Sequence, residues 1–277
     1  MRLAGQVAVV TGGGRGIGAA IAQALAAEGM AVAVTARSAD QLADVVSAIE
    51  SRGGTAIAVV ADVAEPAQVQ AALAEVVDRL GPIDLLVNNA GRGPERFCVL
   101  WEEADMTDWW QVLAVNLLGP AVACHTVIPA MLARGAGRIV NIGSLAGSEP
   151  EPILGSYVIS KAALMRLTDC LAVSLADTGV RVFEINPGLV RTALVEAHPH
   201  IFGHLPDEAY APTSLAADAV VRIAAGDLDP LNGRILDVSE DDLDDLLARA
   251  DQIVAADART LRLRTFGPGD PLEPSGS

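Results

Sequence analysis

The chain has 277 residues, 51% of them hydrophobic, which suits one large α/β domain better than two small ones. A net charge of −16 argues against nucleic acid or an anionic membrane surface as a partner, so an anionic cofactor must be held by local basic groups and backbone N–H donors. The first six residues lack the apolar stretch of a signal peptide, and no run of about 20 uncharged apolar residues stands out, so a cytoplasmic protein is expected.

Strand and helix alternate along the chain. Residues 6–11 form a short apolar run, as expected of a parallel strand covered on both faces. A glycine-rich turn leads into a helix over 19–28, ended by Gly29. Strands are expected at 31–35, 55–61, 84–88, 137–142, 181–185 and 234–238. Helices are expected at 41–51, 66–80, 108–134, 157–178 and 214–225. Repeated βα units of this kind predict a Rossmann-type doubly wound parallel sheet, with residues 1–266 as one dinucleotide-binding catalytic domain. Ser239 followed by three acids marks the start of an added C-terminal helix over 240–258. Its apolar face, from Leu243 to Val254, packs either on its own domain or on a second subunit. Residues 267–277, rich in Pro, Gly and Ser, read as a disordered tail.

The turn after the first strand holds Gly12, Arg15, Gly16, Ile17 and Gly18. Glycine lets the backbone bend sharply and lets a pyrophosphate approach without meeting a Cβ, while the helix start offers free N–H groups. A glycine-rich turn also serves plain tight turns; its place between the first strand and first helix favours a nucleotide. The second strand ends at Ala36-Arg37, where an acid would select NAD and an arginine would accommodate the 2′-phosphate of NADP. Arg37, helped by Arg15, therefore favours NADP(H), with NAD(H) possible, although both arginines could also be surface residues.

Tyr157 and Lys161 stand four apart, one helical turn on the same face. A tyrosine hydroxyl titrates near 10, about three units above neutrality, and a nearby ammonium lowers that value. The pair could then give a proton to a carbonyl oxygen or take one from an alcohol. Tyr-x-x-x-Lys alone is common by chance. Together with the turn at 11–18 and Asn88-Asn89-Ala90-Gly91, it resembles the short-chain dehydrogenase/reductase family in its single-domain branch, over residues 5–192.

That resemblance implies the remaining site. Ser144, thirteen residues before Tyr157, would hydrogen-bond the substrate oxygen, and Asn116 would hold a water linking Lys161 to solvent. Tyr157 would be the general acid/base, with Lys161 lowering its pKa and binding the nicotinamide ribose. Asp62 and Val63 would meet the adenine, and Asn89, Ala90 and Gly91 would line the cofactor. Pro187, Gly188, Val190 and Thr192 would border the nicotinamide. The expected activity is NAD(P)-dependent interconversion of a ketone and a secondary alcohol, in a homodimer or homotetramer built on the two long helices.

Residues 189–212 fall where the family carries its substrate lid, and their apolar and imidazole side chains suit a pocket wall for an apolar ketone or alcohol. The spacing of His198, His200 and His204 invites a metal, but no cysteine or acid completes a set, so no metal is expected. Cys98, Cys124 and Cys170 lie far apart and read as free thiols. Trp101, Trp109 and Trp110 read as packing or interface residues. A non-catalytic dinucleotide sensor on the same fold is the alternative, though such a protein would be expected to have lost Tyr157 or Lys161. An epimerase or dehydratase of the extended branch would need a different glycine spacing and a longer C-terminal domain.

Overall fold

The first strand shows how the sequence builds the molecule. In β1 (Val7–Thr11), Val7 and Val9 enter one hydrophobic core while Ala8 and Val10 enter another. A strand that is apolar at every position needs cover on both faces, which parallel βα crossovers supply. The remaining elements follow in the expected alternation: α1 (Gly16–Ala27), β2 (Ala31–Ala36), α2 (Ala39–Glu50), β3 (Thr55–Val60), α3 (Pro66–Leu80) and β4 (Leu85–Asn88). Next come α4 (Met106–Leu113), α5 (Gly119–Arg134), β5 (Gly137–Ile142), α6 (Gly155–Ser174) and β6 (Val180–Asn186). Two single-turn helices, α7 (Ala193–Glu196) and α8 (Pro199–Phe202), precede α9 (Thr213–Ala224), β7 (Ile235–Asp237), α10 (Leu243–Ala248) and α11 (Ala250–Ala255). This computed structural model describes residues 1–103 and 105–264; the tail expected at 267–277 lies outside the described residues.

The seven strands form one parallel sheet in the order β3-β2-β1-β4-β5-β6-β7. The order reverses between β1 and β4, and the strand ends there open the crevice in which ligands bind in sheets of this kind. One face is covered by α1, α2 and α9, with α1 packed on α9, and the other by α3 and α5, packed on each other. Thus the doubly wound sheet in a single domain is as the sequence indicates.

Three expectations need correction. The helix read over 108–134 is not uniform: a wider π turn (Ala114–Leu118) joins α4 to α5 and contains Asn116. The same rod, Met106–Arg134, is long and apolar enough to cross a membrane, contrary to the reading that no such run exists, because residues 109–133 carry no charged side chain. Here its apolar face is used inside the domain: Ala123, Cys124, Val127 and Met131 are buried with α3 and the sheet. The C-terminal helix expected over 240–258 is two short helices broken at Arg249. Its cap is Asp242, which accepts from the amides of Asp244 and Asp245, while the Ser239 hydroxyl is spent on Asp237 at 2.7 Å. Leu246 and Ala250 bury against the domain's own core, with Leu243 and Ile253 partly buried beside them, and Val254 is exposed.

Candidate active site

The turn after β1 is held from the neighbouring strand. The Asn89 side chain donates to the Thr11 and Gly12 carbonyls at 2.8 and 3.2 Å. The Thr11 hydroxyl accepts from the Asn89 and Ala90 amides at 3.0 Å each. Gly12 (φ +63°) and Gly16 (φ +55°) adopt left-handed backbone, which glycine alone takes without strain. A Cβ at Gly12 would lie 2.8 Å from Ala90 Cα, and one at Gly18 2.4 Å from the Gly12 oxygen. By contrast, a Cβ at Gly16 would meet only the Thr192 methyl, at 3.8 Å. The turn is therefore closed on the protein side and open toward Thr192, a shape that fits a pyrophosphate at the start of α1. Ile17 is partly buried against the core, and Arg15 stands at the N-cap of α1 with an exposed side chain that makes no capping bond.

At the ends of β2 and β3, Arg37 Nη1 lies 3.8 Å from Asp62 Oδ2, and the Arg37 side chain is 78% exposed. Asp62 accepts from the Ala64 amide at 2.9 Å, and Val63 packs against Gly119 at the start of α5. This pair fits the adenosine end of a dinucleotide, with an acid for the adenine and an exposed guanidinium for a 2′-phosphate. On the other side of the crevice, Pro187 and Val190 are buried after β6. Gly188 has φ +74°, and a Cβ there would strike Ser239 at 2.5 Å.

Tyr157, Lys161, Ser144 and Asn116 come together between β5 and the first turns of α6. Lys161 is buried; its Nζ donates to the Ile142 carbonyl at 2.8 Å and lies 5.7 Å from the centre of the Tyr157 ring. Both Lys161 Nζ and Asn116 Oδ1 border Gly91, at 4.0 and 3.5 Å from where a side chain would begin. Burial raises the Tyr157 pKa, and the Ser144 hydroxyl beside it lowers it. Burial pulls Lys161 down to about 8, partly opposed by the charge of Glu184. Ser144 is extended, with its oxygen accepting from the Ala146 amide at 3.3 Å and its hydroxyl hydrogen-bonded to Tyr157.

The π turn places Asn116. Its side chain accepts from the Arg92 amide and donates to the Arg92 carbonyl, each at 2.9 Å, and donates to Ser160 Oγ at 2.9 Å. The Ser160 hydroxyl in turn donates to the Tyr157 carbonyl at 2.7 Å. Arg92 is itself paired with Asp108. Sequence reasoning found neither contact: Arg92 is reached through its backbone groups, which no residue pattern encodes, and Ser160 lies 44 positions from Asn116. One signal was overlooked: Lys161 is the single lysine among nineteen basic residues. In a chain that uses arginine at every other basic position, a lysine marks a place where a compact, titratable cation is needed.

The segment after β6 lines the front of the site. His198 is buried, bonded through Nδ1 to the Leu194 carbonyl at 2.9 Å, with Phe97 edge-on at 4.2 Å between ring centres. Phe202 also meets Phe97, at 6.2 Å, and Gly93 makes room for Leu194. The His198 and His200 rings are 6.0 Å apart, and among the described residues no three His, Cys, Asp or Glu side chains converge. Cys124 is buried, with its thiol pushed up to about 12; Cys98 is partly buried and Cys170 exposed.

A family model described as short chain dehydrogenase matches residues 6–200. The chain belongs to the short-chain dehydrogenase/reductase family. It is 38% identical over 196 residues to a short chain dehydrogenase of Pseudocercospora fijiensis, covering 70% of this chain and 62% of that protein. Against the 2-(R)-hydroxypropyl-CoM dehydrogenase of Xanthobacter autotrophicus it is 34% identical, covering 83% of this chain and 96% of that one. A metagenomic short-chain oxidoreductase solved with NADP superposes at a TM-score of 0.70 with 35% identity, over 81% of this chain and 93% of that chain. As a member of the family, this short-chain dehydrogenase/reductase is an NAD(P)-dependent oxidoreductase that interconverts a ketone and a secondary alcohol.

Proposed function

We propose that the protein is an NADP(H)-dependent ketone reductase or alcohol dehydrogenase in which Tyr157 exchanges the proton. The observation that carries this reading is the convergence of the Tyr157 ring, the Lys161 ammonium and the Ser144 hydroxyl at the β5 end of the crevice. When bound, the cofactor supplies or accepts the hydride. The protein's own groups do the rest. Tyr157 gives its proton to the carbonyl oxygen in reduction and takes the alcohol proton in oxidation. Ser144 donates to the same oxygen as charge develops on it. Lys161 favours the phenolate and binds the ribose hydroxyls. Asn116, whose Oδ1 keeps a second lone pair, holds the water through which Lys161 exchanges protons.

Gly12, Gly16, Ile17 and Gly18 would receive the pyrophosphate, Asp62 and Val63 the adenine, and Asn89, Ala90, Gly91, Pro187, Gly188, Val190 and Thr192 the nicotinamide half. The exposed guanidinium of Arg37, with Arg15 nearby, supports NADP over NAD, and the NADP-bound relative agrees with it. Residues 189–212 act as the lid, whose Leu194, His198 and Phe202 suit an apolar carbonyl substrate. Residues 1–266 work as one catalytic domain in a cytoplasmic homodimer or homotetramer. Exposed apolar side chains on α5 and α6, among them Leu132, Ile159 and Val173, support the assembly, and sedimentation tests it.

The deciding experiment follows NADPH and NADH absorbance with a panel of ketones and alcohols. Wild type should consume NADPH, and Tyr157→Phe should lose at least about a hundredfold in kcat. A Tyr157→Phe variant as fast as wild type would end the proton-transfer reading. If Arg37→Ala left the NADPH preference intact, Arg37 would not be its source.

A further inference from the structure

A carboxyl group lies beneath this site and takes no part in the chemistry so far. Glu184, in the middle of β6, is 0% exposed. Strand alternation turns it toward α6: Phe183 and Ile185 enter the opposite core, while Val182 enters the one on the α6 side. Its Oε2 accepts from Thr168 Oγ1 at 3.0 Å. Thr168 has one hydroxyl proton, for which the Leu164 carbonyl competes at 3.1 Å, and its oxygen already accepts from Asn141 at 2.9 Å. Among the described residues Oε1 has no hydrogen-bond partner.

That orphan oxygen points at the catalytic end of β5. A Cβ on Gly143 would lie 2.1 Å from it, so the carboxyl fills the side-chain space of the residue just before Ser144. The residue before that, Ile142, receives the Lys161 ammonium on its carbonyl. Carboxyl and ammonium thus rest against consecutive residues of one strand end. The charged groups that face Glu184 are Lys161 and Asp169, both from α6, and Asp169 is tied to Arg166 and Arg262 at 3.0 and 2.8 Å. Lys161 favours the carboxylate; Asp169 opposes it. A buried carboxyl with one shared hydrogen bond is expensive to keep in a core where an apolar side chain would pack.

We propose that Glu184 is a positioning residue for the Tyr157–Lys161 pair: its carboxylate keeps Lys161 in the ammonium form toward alkaline pH, and so sets where Tyr157 releases its proton. This rests on the roles given above to Tyr157 and Lys161. Burial raises Glu184 to about 7 and lowers Lys161 to about 8, so both groups change charge close to neutrality. Without the carboxylate, Lys161 would lose its proton at lower pH, and the phenol would then ionise later.

Because Lys161 is the only lysine, protein labelled with carbon-13 at the lysine ε-carbon gives a single resonance that reads this group directly. The full chain would be titrated with and without NADP+. Glu184→Gln, equal in shape but uncharged, should lower the Lys161 midpoint by about one unit, and Glu184→Asp should restore most of it. In alcohol oxidation, the rise of kcat with pH should move to higher pH in Glu184→Gln while KM for NADP+ stays put. A packing role alone would change the melting temperature and leave both titrations where they are. A Lys161 midpoint unmoved by Glu184→Gln, or an aspartate variant that behaves like the glutamine one, overturns the proposal. Should Glu184→Gln fail to fold, Thr168→Val removes the one hydrogen bond to the carboxyl and must shift Lys161 in the same direction. An inactive Tyr157→Phe beside an unmoved Lys161 midpoint would sink Glu184 alone; an active Tyr157→Phe would sink the wider reading.

Discussion

The glycine turn after β1 and the segment after β6 face the same crevice and are built on opposite principles. The turn is fixed by four hydrogen bonds between Thr11, Gly12, Asn89 and Ala90, all close to buried strand ends. The segment over 189–212 has two one-turn helices, and only Val190, Val195 and His198 in it are buried. The first region has no room for change; the second has few contacts to lose. Such a division suits a crevice whose cofactor is constant and whose substrate differs from relative to relative. It also implies that substitutions should grade steeply from one region to the other.

The largest effect is expected at Gly18. A methyl there would sit 2.4 Å from the Gly12 oxygen and 2.5 Å from Asn89 Nδ2, so the backbone must move. Overpacking of this kind costs about 1–3 kcal/mol, and the displaced turn should weaken NADPH binding by at least about tenfold. Fluorescence titration of NADPH against Gly18→Ala checks it; wild-type affinity would show that the turn has slack. Next comes Asn89→Ala, which frees the Thr11 and Gly12 carbonyls. About 1–3 kcal/mol of stability should be lost, read from a thermal melt, together with a raised KM for NADPH. Normal melting would mean the turn stands without its clasp.

The same contrast governs what could be read from the sequence. The sheet was legible because each strand is a short apolar run and each turn carries glycine or an acid; α3 and β5 fall on the expected residues. The quartet of Asn116, Ser144, Tyr157 and Lys161 was legible through spacing and resemblance. What escaped depends on contacts across the fold. Glu184 stands 23 positions after Lys161, and nothing in a strand marks which of its residues turns toward α6 beneath the site. The π turn at Asn116 was missed because the pull on it comes from Arg92, on another segment. At the C-terminus, the run of acids hid a division of labour. Asp241 is drawn to Arg259 and Asp242 caps α10, so the helix starts later than its first acid suggests.

In the second region the effects should be smaller and of another kind. His198→Ala removes the Phe97 edge contact and the Leu194 bond, worth about 1 kcal/mol together. The ranking of carbonyl substrates by kcat/KM should change about fivefold while KM for NADPH holds. A uniform loss over all substrates would place His198 with the turn rather than with the lid.

The smallest effect is expected at Arg191, and it is the sharpest test of the contrast. Arg191 pairs with Asp207 at 2.5 Å and stacks over the Tyr210 ring at 4.3 Å, and the Tyr210 hydroxyl holds the Phe202 carbonyl at 2.9 Å. The latch thus runs from the end of β6 to α8. Yet the Asp207 side chain is 92% exposed, so water and salt screen the pair, and it is worth less than about 1 kcal/mol. Arg191→Ala should leave the melting temperature within about 2 °C of wild type. It should raise KM for the carbonyl substrate about two- to threefold, because closing the segment then lacks its tie. Salt supplies the control. Moving wild type from low salt to about 1 M should raise KM by the same factor, since screening acts on the same pair, and the variant should not respond. A salt response kept in Arg191→Ala would assign the effect to other charges. A large fall in melting temperature would show that the segment belongs to the rigid part of the fold after all.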